Sequence, residues 1–595
     1  MDNDFQAAFD FMMSSWPIKV LLKKGCGKEF SEWIGMFFKN VKSIVVVNNV
    51  MGAIIDLYRS LRQGDIPSMC LYAYGVDPFL ERLRKVLRGI LIHTRRLPVL
   101  GPLLEGEAKI PDHIVEERLT AFGYADDIKN SITSKEEFAI VDQETILFEK
   151  ASGSLLHRDK TSQKVKFLPL GKWRGVLKQE DLPDHVALAE SLDMLGLELF
   201  ANFRKTAKVS GDNFQSKSKN MIGAWLIKQI YLTQRPWSLN TFLFPKFYHR
   251  CHSIPLRQCD ITEIRRHTNR FLFCDQLEKP GPIVTYRDRQ SGGLGLHNVE
   301  LKANALLIKC FLETAANPSF QHSLLHEHLY QAYVKKDTSI PAPKLPPYYT
   351  KKMFQEIVEA SEDGRNVETM STKEWYTYLL NKHVLEEPIE ENGSVSSVPR
   401  KCKIEEEYPT VVWEATWQLA RKSGLTNEAR SFMFRFLHNI LPTQARLHRI
   451  TRNNPSPTCQ LCDSGQPDIL HKHSFMDCSH TNTAMSWLLD VIKEIDPAAS
   501  IEKIMFLEFG SVDPCHLLDC TFLVIESLSY AWAKRKNKEQ IVMIEMKAHI
   551  KAKCSMLIRS YKYKENGDFL LSTLQPQQPS QHQIQSQQHP AQHPS

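Results

Sequence analysis

The amino-acid sequence predicts an α+β protein, and three observations carry that prediction. Over about the first 165 residues, short apolar runs ("SIVVVNN", "LTAFGY", "KVKFLPL") alternate with segments of helical period. From about 205 to 315, and again from about 410, apolar residues recur every three or four positions. No run of eighteen or more apolar residues occurs, so the apolar content belongs to cores and not to a membrane span.

The elements follow in order. In "FLERLRKVLRGI", Leu80, Leu83, Leu87 and Ile90 fall at helical spacing while Arg82, Lys85 and Arg88 take the other side, which predicts an amphipathic helix. Ile261, Ile264, Thr268 and Phe271 repeat the pattern, and "GGLGL" (Gly292 to Leu296) marks a tight turn after it. "SIPAPKLPPYY" (339–349) and "EEPIEENGSVSSVP" (386–399) suit neither helices nor central strands and are expected to be linkers. Beyond Leu574 the chain is Gln, Pro and His without an apolar period, so 575–595 is expected to be disordered. The expected organisation is an α+β region at 1–204, a basic helical region at 205–315, a linker region with Pro-rich segments at 316–410, and a helical C-terminal region at 411–570.

Composition narrows the class. A chain of 595 residues predicts roughly three or four domains. The N-terminus is acidic and has no apolar core, so it does not read as a signal peptide, and an intracellular protein of nucleus or cytoplasm, without a membrane partner, is expected. Thirteen scattered cysteines, an odd number, argue for free thiols and a metal site over a disulfide framework. The net charge is +7, yet between Arg204 and Arg270 thirteen Lys or Arg face three acids (Asp212, Asp260 and Glu263). Aromatics interleave this block, as stacking and phosphate contacts would require, although a solvated helix face over an ordinary core reads the same way.

Chemistry concentrates in "LTAFGYADDIKN" (119–130). Adjacent carboxylates repel, so Asp126 and Asp127 between apolar flanks suggest a bound cation; alone, such a pair is most often a solvated turn and needs partners elsewhere. Those partners are in "MDNDFQAAFD", where Asp4 precedes Phe9 by five residues, and in "LRQGDIPS" (61–68). In this order and spacing the three segments resemble the reverse transcriptases of non-LTR retrotransposons. Further matches are "ASGSLLHRDKT", with Lys160 on the family's lysine, and "LDMLGLEL", similar to its primer-grip segment around Leu195 and Gly196.

The resemblance implies a right-handed polymerase palm, a basic helical thumb and a helical C-terminal region with a zinc knuckle. Asp4 and Asp126 would be the main ligands of two Mg²⁺ ions, with Asp127 secondary, and all three would be catalytic. Phe9 would gate the incoming sugar, while Arg62, Gln63, Gly64, Ser68, Tyr124 and Lys160 would contact nucleotide or template-primer. Arg204, Lys205, Lys208, Lys217, Lys219, Lys228, Arg265, Arg266 and Arg270 would contact nucleic acid. The implied partners are an RNA template, a DNA primer or target, and deoxynucleoside triphosphates. Departures are mild at Ile66 to Met69, where the family has Pro-Leu-Ser-Pro, and at His157, often asparagine. Because the sequence starts at Asp4's own strand, the family's fingers and N-terminal endonuclease are expected to be absent and polymerase activity impaired. A non-catalytic nucleic-acid-binding remnant of the same ancestry is the alternative, and an intron-type maturase is disfavoured by the knuckle.

The knuckle reads independently of the family. Cys459 and Cys462 form C-x2-C, and His473 and Cys478 form H-x4-C, a thiolate and imidazole set that suits tetrahedral zinc. His471 and His480 are alternatives to His473. Arg446, Arg449 and Arg452 upstream suggest that the segment meets nucleic acid, and a purely structural clip is the competing reading. Glu545 and Lys547 in "IVMIEMK" mimic a nuclease motif, but Met543, Met546, Ile550, Cys554 and Leu557 step as a helix, which excludes the required strand.

Overall fold

In a computed structural model, residues 1–57, 59–62, 65–97, 113–159, 163–274, 279–316, 323–338, 342–391, 394–422, 425–451, 456–510, 512–513 and 516–559 are described. They form a mixed α+β structure in two units interleaved along the chain. One unit comprises 1–214, 249–260 and 303–375; the other comprises 215–248, 261–302 and 376–595.

The first unit is built on a five-stranded sheet in the order Ala121–Tyr124, Asp127–Asn130, Asp2–Asn3, Val165–Phe167, Val186–Leu188. The first three contacts between neighbours are antiparallel and the last is parallel. "LTAFGY" and "KVKFLPL" thus supply strands, as their composition predicts, and "SIVVVNN" supplies one arm of a separate hairpin, Lys42–Val47 with Val50–Asp56. Behind the sheet lie helices Ile66–Val86 and Glu136–Ser152. The first buries Leu71, Tyr72, Val76, Phe79, Leu80 and Leu83, an i, i+3/i+4 stripe. Phe79 stacks on Phe148 of the second helix at 4.9 Å, and Phe5 meets both rings edge-on. The predicted helix over 80–90 is therefore present but ends earlier than its periodicity suggests, because Gly89 turns at φ 70° and Ile90 opens the strand Ile90–Leu97.

Among its described residues the second unit is helical apart from one hairpin. Its centre is helix Leu517–Asn537, buried almost all round from Asp519 to Leu528. Helix Met543–Arg559 lays Met546, Ile550 and Cys554, all fully buried, on one face, so the segment carrying Glu545 and Lys547 is a helix as its spacing predicts.

Two linker expectations need correction. Residues 386–399 form a two-stranded ribbon, Glu386–Glu391 with Ser394–Pro399, in the register Glu386↔Pro399 to Glu391↔Ser394. A ribbon consists of two edges, and proline is tolerated at an edge, so Pro388 and Pro399 exclude only a central strand. The wider region 316–410 also holds helices Ser323–Tyr333, Lys351–Glu362 and Thr372–Leu380. Thr350 caps the second of these through the Met353 N–H, and Met353, Phe354, Ile357 and Ala360 are buried. Within 339–349 the described residues contain neither helix nor strand; the tail at 575–595 lies outside the described residues.

Candidate functional site

The sheet brings the distant aspartates to one edge. Asp2 pairs with Lys129 and Asn3 with Ile128, so the antiparallel register sets the next residue, Asp4, beside Asp127. Asp127 closes a two-residue turn from Tyr124, in which Ala125 sits at φ 53°. A side chain in the left-handed region costs roughly 1–2 kcal/mol, and such strain concentrates at functional turns. Asp126 and Tyr124 at the tip are exposed.

Each carboxylate has a distinct environment. Asp4 is partly exposed, with its Oδ2 3.9 Å from His157 Nε2 and 4.0 Å from Lys164 Nζ. Asp127 is ion-paired through Oδ1 with the buried Lys129, which also holds Asp2 at 2.6 Å. Its Oδ2 accepts the Leu195 N–H at 3.3 Å. Leu195 (φ 49°) and Gly196 (φ 78°) form the turn of the hairpin Ser191–Met194 with Leu197–Phe200, and the Leu195 carbonyl accepts from His249 Nε2 at 3.0 Å. The primer-grip-like segment thus touches the aspartate turn.

Phe9 stacks on Tyr72 with centroids 4.4 Å apart and planes at 25°. Burial first, and then the charge of Asp126, push the Tyr72 phenol upward, which places this ring pair close to the aspartate tip. Arg62 is ion-paired with Asp65 at 2.7 Å and donates to the Phe37 carbonyl, so its guanidinium is already engaged. Ser68 is buried in the first turn of its helix, with no hydrogen-bond partner for its hydroxyl. Gln63, Gly64 and Lys160 lie outside the described residues. Sequence reasoning passed over Lys129, Tyr72 and Lys164. Of these, Lys129 had a signal: it stands two residues after Asp127, on the same strand face, where a cation balances clustered acids.

Along the basic block, the exposed Lys208, Lys217, Lys219 and Lys228 have no ion-paired carboxylate among the described residues. Arg204 and Arg270 are also exposed. Lys205 pairs with Glu190 at 3.3 Å and lies over the Phe200 ring; Arg265 pairs with Glu300 at 2.7 Å and Arg266 with Glu263 at 2.8 Å. Several of the interleaved aromatics are core, since Phe214, Phe244 and Phe247 are buried and the half-buried Trp225 packs on Phe271. Trp237 and Phe242 are the large rings of this block that stay exposed.

The cysteine–histidine segment closes into a centre. Among the described residues, the one group of three or more potential ligands within 4.8 Å of each other is Cys459, Cys462, His473 and Cys478; the carboxylates of Asp4, Asp126 and Asp127 do not draw that close. A bridge between Thr458 and Pro467 shapes the first loop, with Gly465 at φ 67°. His473 comes from the helical turn Leu470–Asp477, and Cys478 from the start of helix Ser479–Lys493. Cys459 Sγ lies 3.9 Å from Cys478 Sγ, and His473 Nε2 lies 3.2 Å from Cys462 Sγ. Gln466 Oε1 sits 3.2 Å from His473 Nδ1 and would fix the ring so that Nε2 faces the cysteines.

The competing histidines are decided by this geometry. His471 donates through Nε2 to the Phe436 carbonyl at 2.9 Å, and His480 to that of Glu539 at 2.8 Å. Burial pushes the Cys459 thiol up; at Cys462 burial acts the same way but is outweighed by hydrogen bonds from Ser464 and His473, which bring it down to about 6. Arg535, buried in the central helix, donates to Cys478 Sγ at 3.1 Å, to Cys459 Sγ at 3.0 Å and to Asp468 Oδ1 at 2.5 Å. The four ligands together could hold one metal ion. No helix among the described residues is long and apolar enough to cross a membrane. No protein-family model matches the chain, and no curated protein is significantly similar to it.

Proposed function

We propose that this chain is an RNA-directed DNA polymerase of the non-LTR retrotransposon type, extending a DNA primer on an RNA template with deoxynucleoside triphosphates. The observation that carries this reading is the shared edge: Asp4, the Asp126–Asp127 turn and the Leu195 hairpin tip converge from segments far apart in the chain. Two Mg²⁺ ions about 3.5–4 Å apart would stabilise the attacking and leaving oxygens of nucleotidyl transfer, and magnesium takes hard oxygen ligands. Asp4 and Asp126 are the carboxylates open to hold them. Asp127 has the secondary task of tying the turn to Lys129 and to the hairpin that would present the primer end. Phe9, braced on Tyr72, offers a rigid wall near the aspartate tip, where the sugar would lie. Exposed lysines of the 204–228 segment would contact phosphates. At Cys459, Cys462, His473 and Cys478 we infer one Zn²⁺, for which a Cys₃His set is a usual structural shell.

In primer extension on an RNA template with Mg²⁺, Asp126→Asn is expected to lower the rate roughly a hundredfold or more by removing a ligand charge. Primer-template affinity should be retained. Extension by the variant near the wild-type rate would remove Asp126 from the site. A second reading, binding without catalysis, is favoured by one feature: Lys129 neutralises Asp127, and His157 and Lys164 crowd Asp4. Salt-sensitive binding by the unaltered protein without Mg²⁺-dependent extension would select it.

A further inference from the structure

In the second unit an open cavity of about 880 Å³ lies among Arg289, Arg421, Arg430, Trp237, Gln234 and Gln290. That volume is within the range of ligand sites, roughly 300–1,000 Å³. Its charge balance is unusual. Arg287, nearby in sequence, is neutralised by Glu405 at 2.7 Å, but among the described residues no carboxylate is ion-paired with Arg289, Arg421 or Arg430. Their partners are backbone carbonyls: Leu294 for Arg289 at 3.2 Å, Gly293 for Arg421, and Lys422 for Arg430 at 3.0 Å. The Arg430 Nε is buried and has no partner. Asp288 is the nearby acid, and its carboxylate takes the Gln290 N–H at 2.6 Å.

Partly buried guanidiniums without an ion-paired carboxylate are costly, and these three also repel. Burial first, and then the charges of Arg289 and Arg430 against the opposing pull of Asp288, bring the Arg421 guanidinium down to about 10. Sequence holds this arrangement in place. Gly292, at φ 82°, lies so close to Trp417 that a Cβ there would fall 2.4 Å from the indole, and Trp417 itself stacks on Trp413 and on His438. Trp417 is 4% exposed, so the ring left for a ligand is Trp237, 51% exposed and braced edge-on by Phe242.

Three forked cations suit phosphates, an exposed indole suits a base, and amide side chains suit base edges. We propose that this cavity binds a single-stranded nucleic-acid segment, with phosphates on Arg289, Arg421 and Arg430 and one base stacked on Trp237. The site uses none of the aspartates and stands whether or not the chain is a polymerase.

The test uses the full chain carrying alanine at Lys208, Lys217, Lys219 and Lys228, so that the exposed lysines do not mask the cavity. Labelled twelve-nucleotide RNA and DNA strands are titrated by anisotropy at several salt concentrations. Arg289→Gln and Arg421→Gln should each weaken binding roughly tenfold and lower the salt slope by about one. Trp237→Ala, at an exposed position that leaves folding intact, should weaken it by a similar factor. A 4-thiouridine strand should photocrosslink to the peptide containing Trp237. Affinity within about twofold of the parent in both Arg289→Gln and Trp237→Ala would overturn the proposal. So would tripolyphosphate competing as well as an oligonucleotide while Trp237→Ala has no effect, since that describes a polyphosphate pocket without base contact.

Discussion

At the scale of single residues, Arg535 does what no motif announces. Its guanidinium spans two cysteine sulfurs and Asp468, in a position 5% exposed. Burying a cation is costly, and two cysteine sulfurs with a carboxylate are what offset that cost here; burial lowers the guanidinium's proton affinity, yet its contacts with Cys478 and Asp468 raise it further. The consequence is that the metal centre and the central helix are one electrostatic unit. Arg535→Met should therefore destabilise the second unit by about 3 kcal/mol, because the buried Asp468 loses its counter-cation and keeps only the Ser474 and Gln444 hydrogen bonds. Metal release to a chromophoric chelator should also be faster than from the unaltered protein. Wild-type release kinetics and an unchanged denaturation midpoint would show that the guanidinium is incidental.

At the scale of elements, the crossing of helices Phe203–Leu226 and Gln258–Phe273 depends on one glycine. A Cβ at Gly211 would fall 2.5 Å from Asp260 Oδ1, and that carboxylate cannot swing away, because Arg257 holds it through two bonds of 2.7 and 2.6 Å. Two effects compete in Gly211→Ala. Helix propensity favours alanine by about 1 kcal/mol, whereas forcing a methyl into a packed contact costs typically 1–3 kcal/mol. The clash should win, because the carboxylate is held, so a net loss of up to about 2 kcal/mol is expected in chemical denaturation. Stabilisation instead would mean that Arg257 and Asp260 can separate at little cost. Also at this scale, the Lys42–Val47 and Val50–Asp56 hairpin turns through Asn48 and Asn49, at φ 50° and 66°, and leaves Val46, Val47, Val50 and Met51 exposed. Asparagine tolerates this turn; valines without cover are an edge liability.

At the scale of the molecule, each unit has its own core, and the Cys₃His cluster that could hold a metal belongs to the second. Metal binding and local folding are coupled where the ligands come from loops and helix ends. Removing the metal with a strong chelator should raise amide exchange over 456–480 and leave the five-stranded sheet of the first unit protected. Cys459→Ser and Cys462→Ser should reproduce the effect and lower the metal content from one ion per chain. Equal deprotection of both units would contradict this separation, and an absence of bound metal in reduced, purified protein would remove the centre.

The sequence by itself determined the local periods and the chemistry of short spacings. The short apolar runs "LTAFGY" and "KVKFLPL" pointed to strands, the three-and-four stepping from Met543 to a helix, and C-x2-C with H-x4-C to four residues that could hold a metal. These are legible because strand period, helix period and ligand spacing are properties of neighbouring residues. Only the tertiary structure decided which histidine completes the centre, since His471, His473 and His480 are chemically alike and differ in where their nitrogens point. It likewise decided that 386–399 pairs with itself, that Phe214, Phe244 and Phe247 of the basic block are core, and that Asp4 comes to lie beside Asp127. Lys129, Arg535 and the unpaired arginines around Trp237 were invisible for the same physical reason. Whether a charge is buried, and whether a counter-charge reaches it, depends on segments tens to hundreds of residues away, which no local pattern encodes.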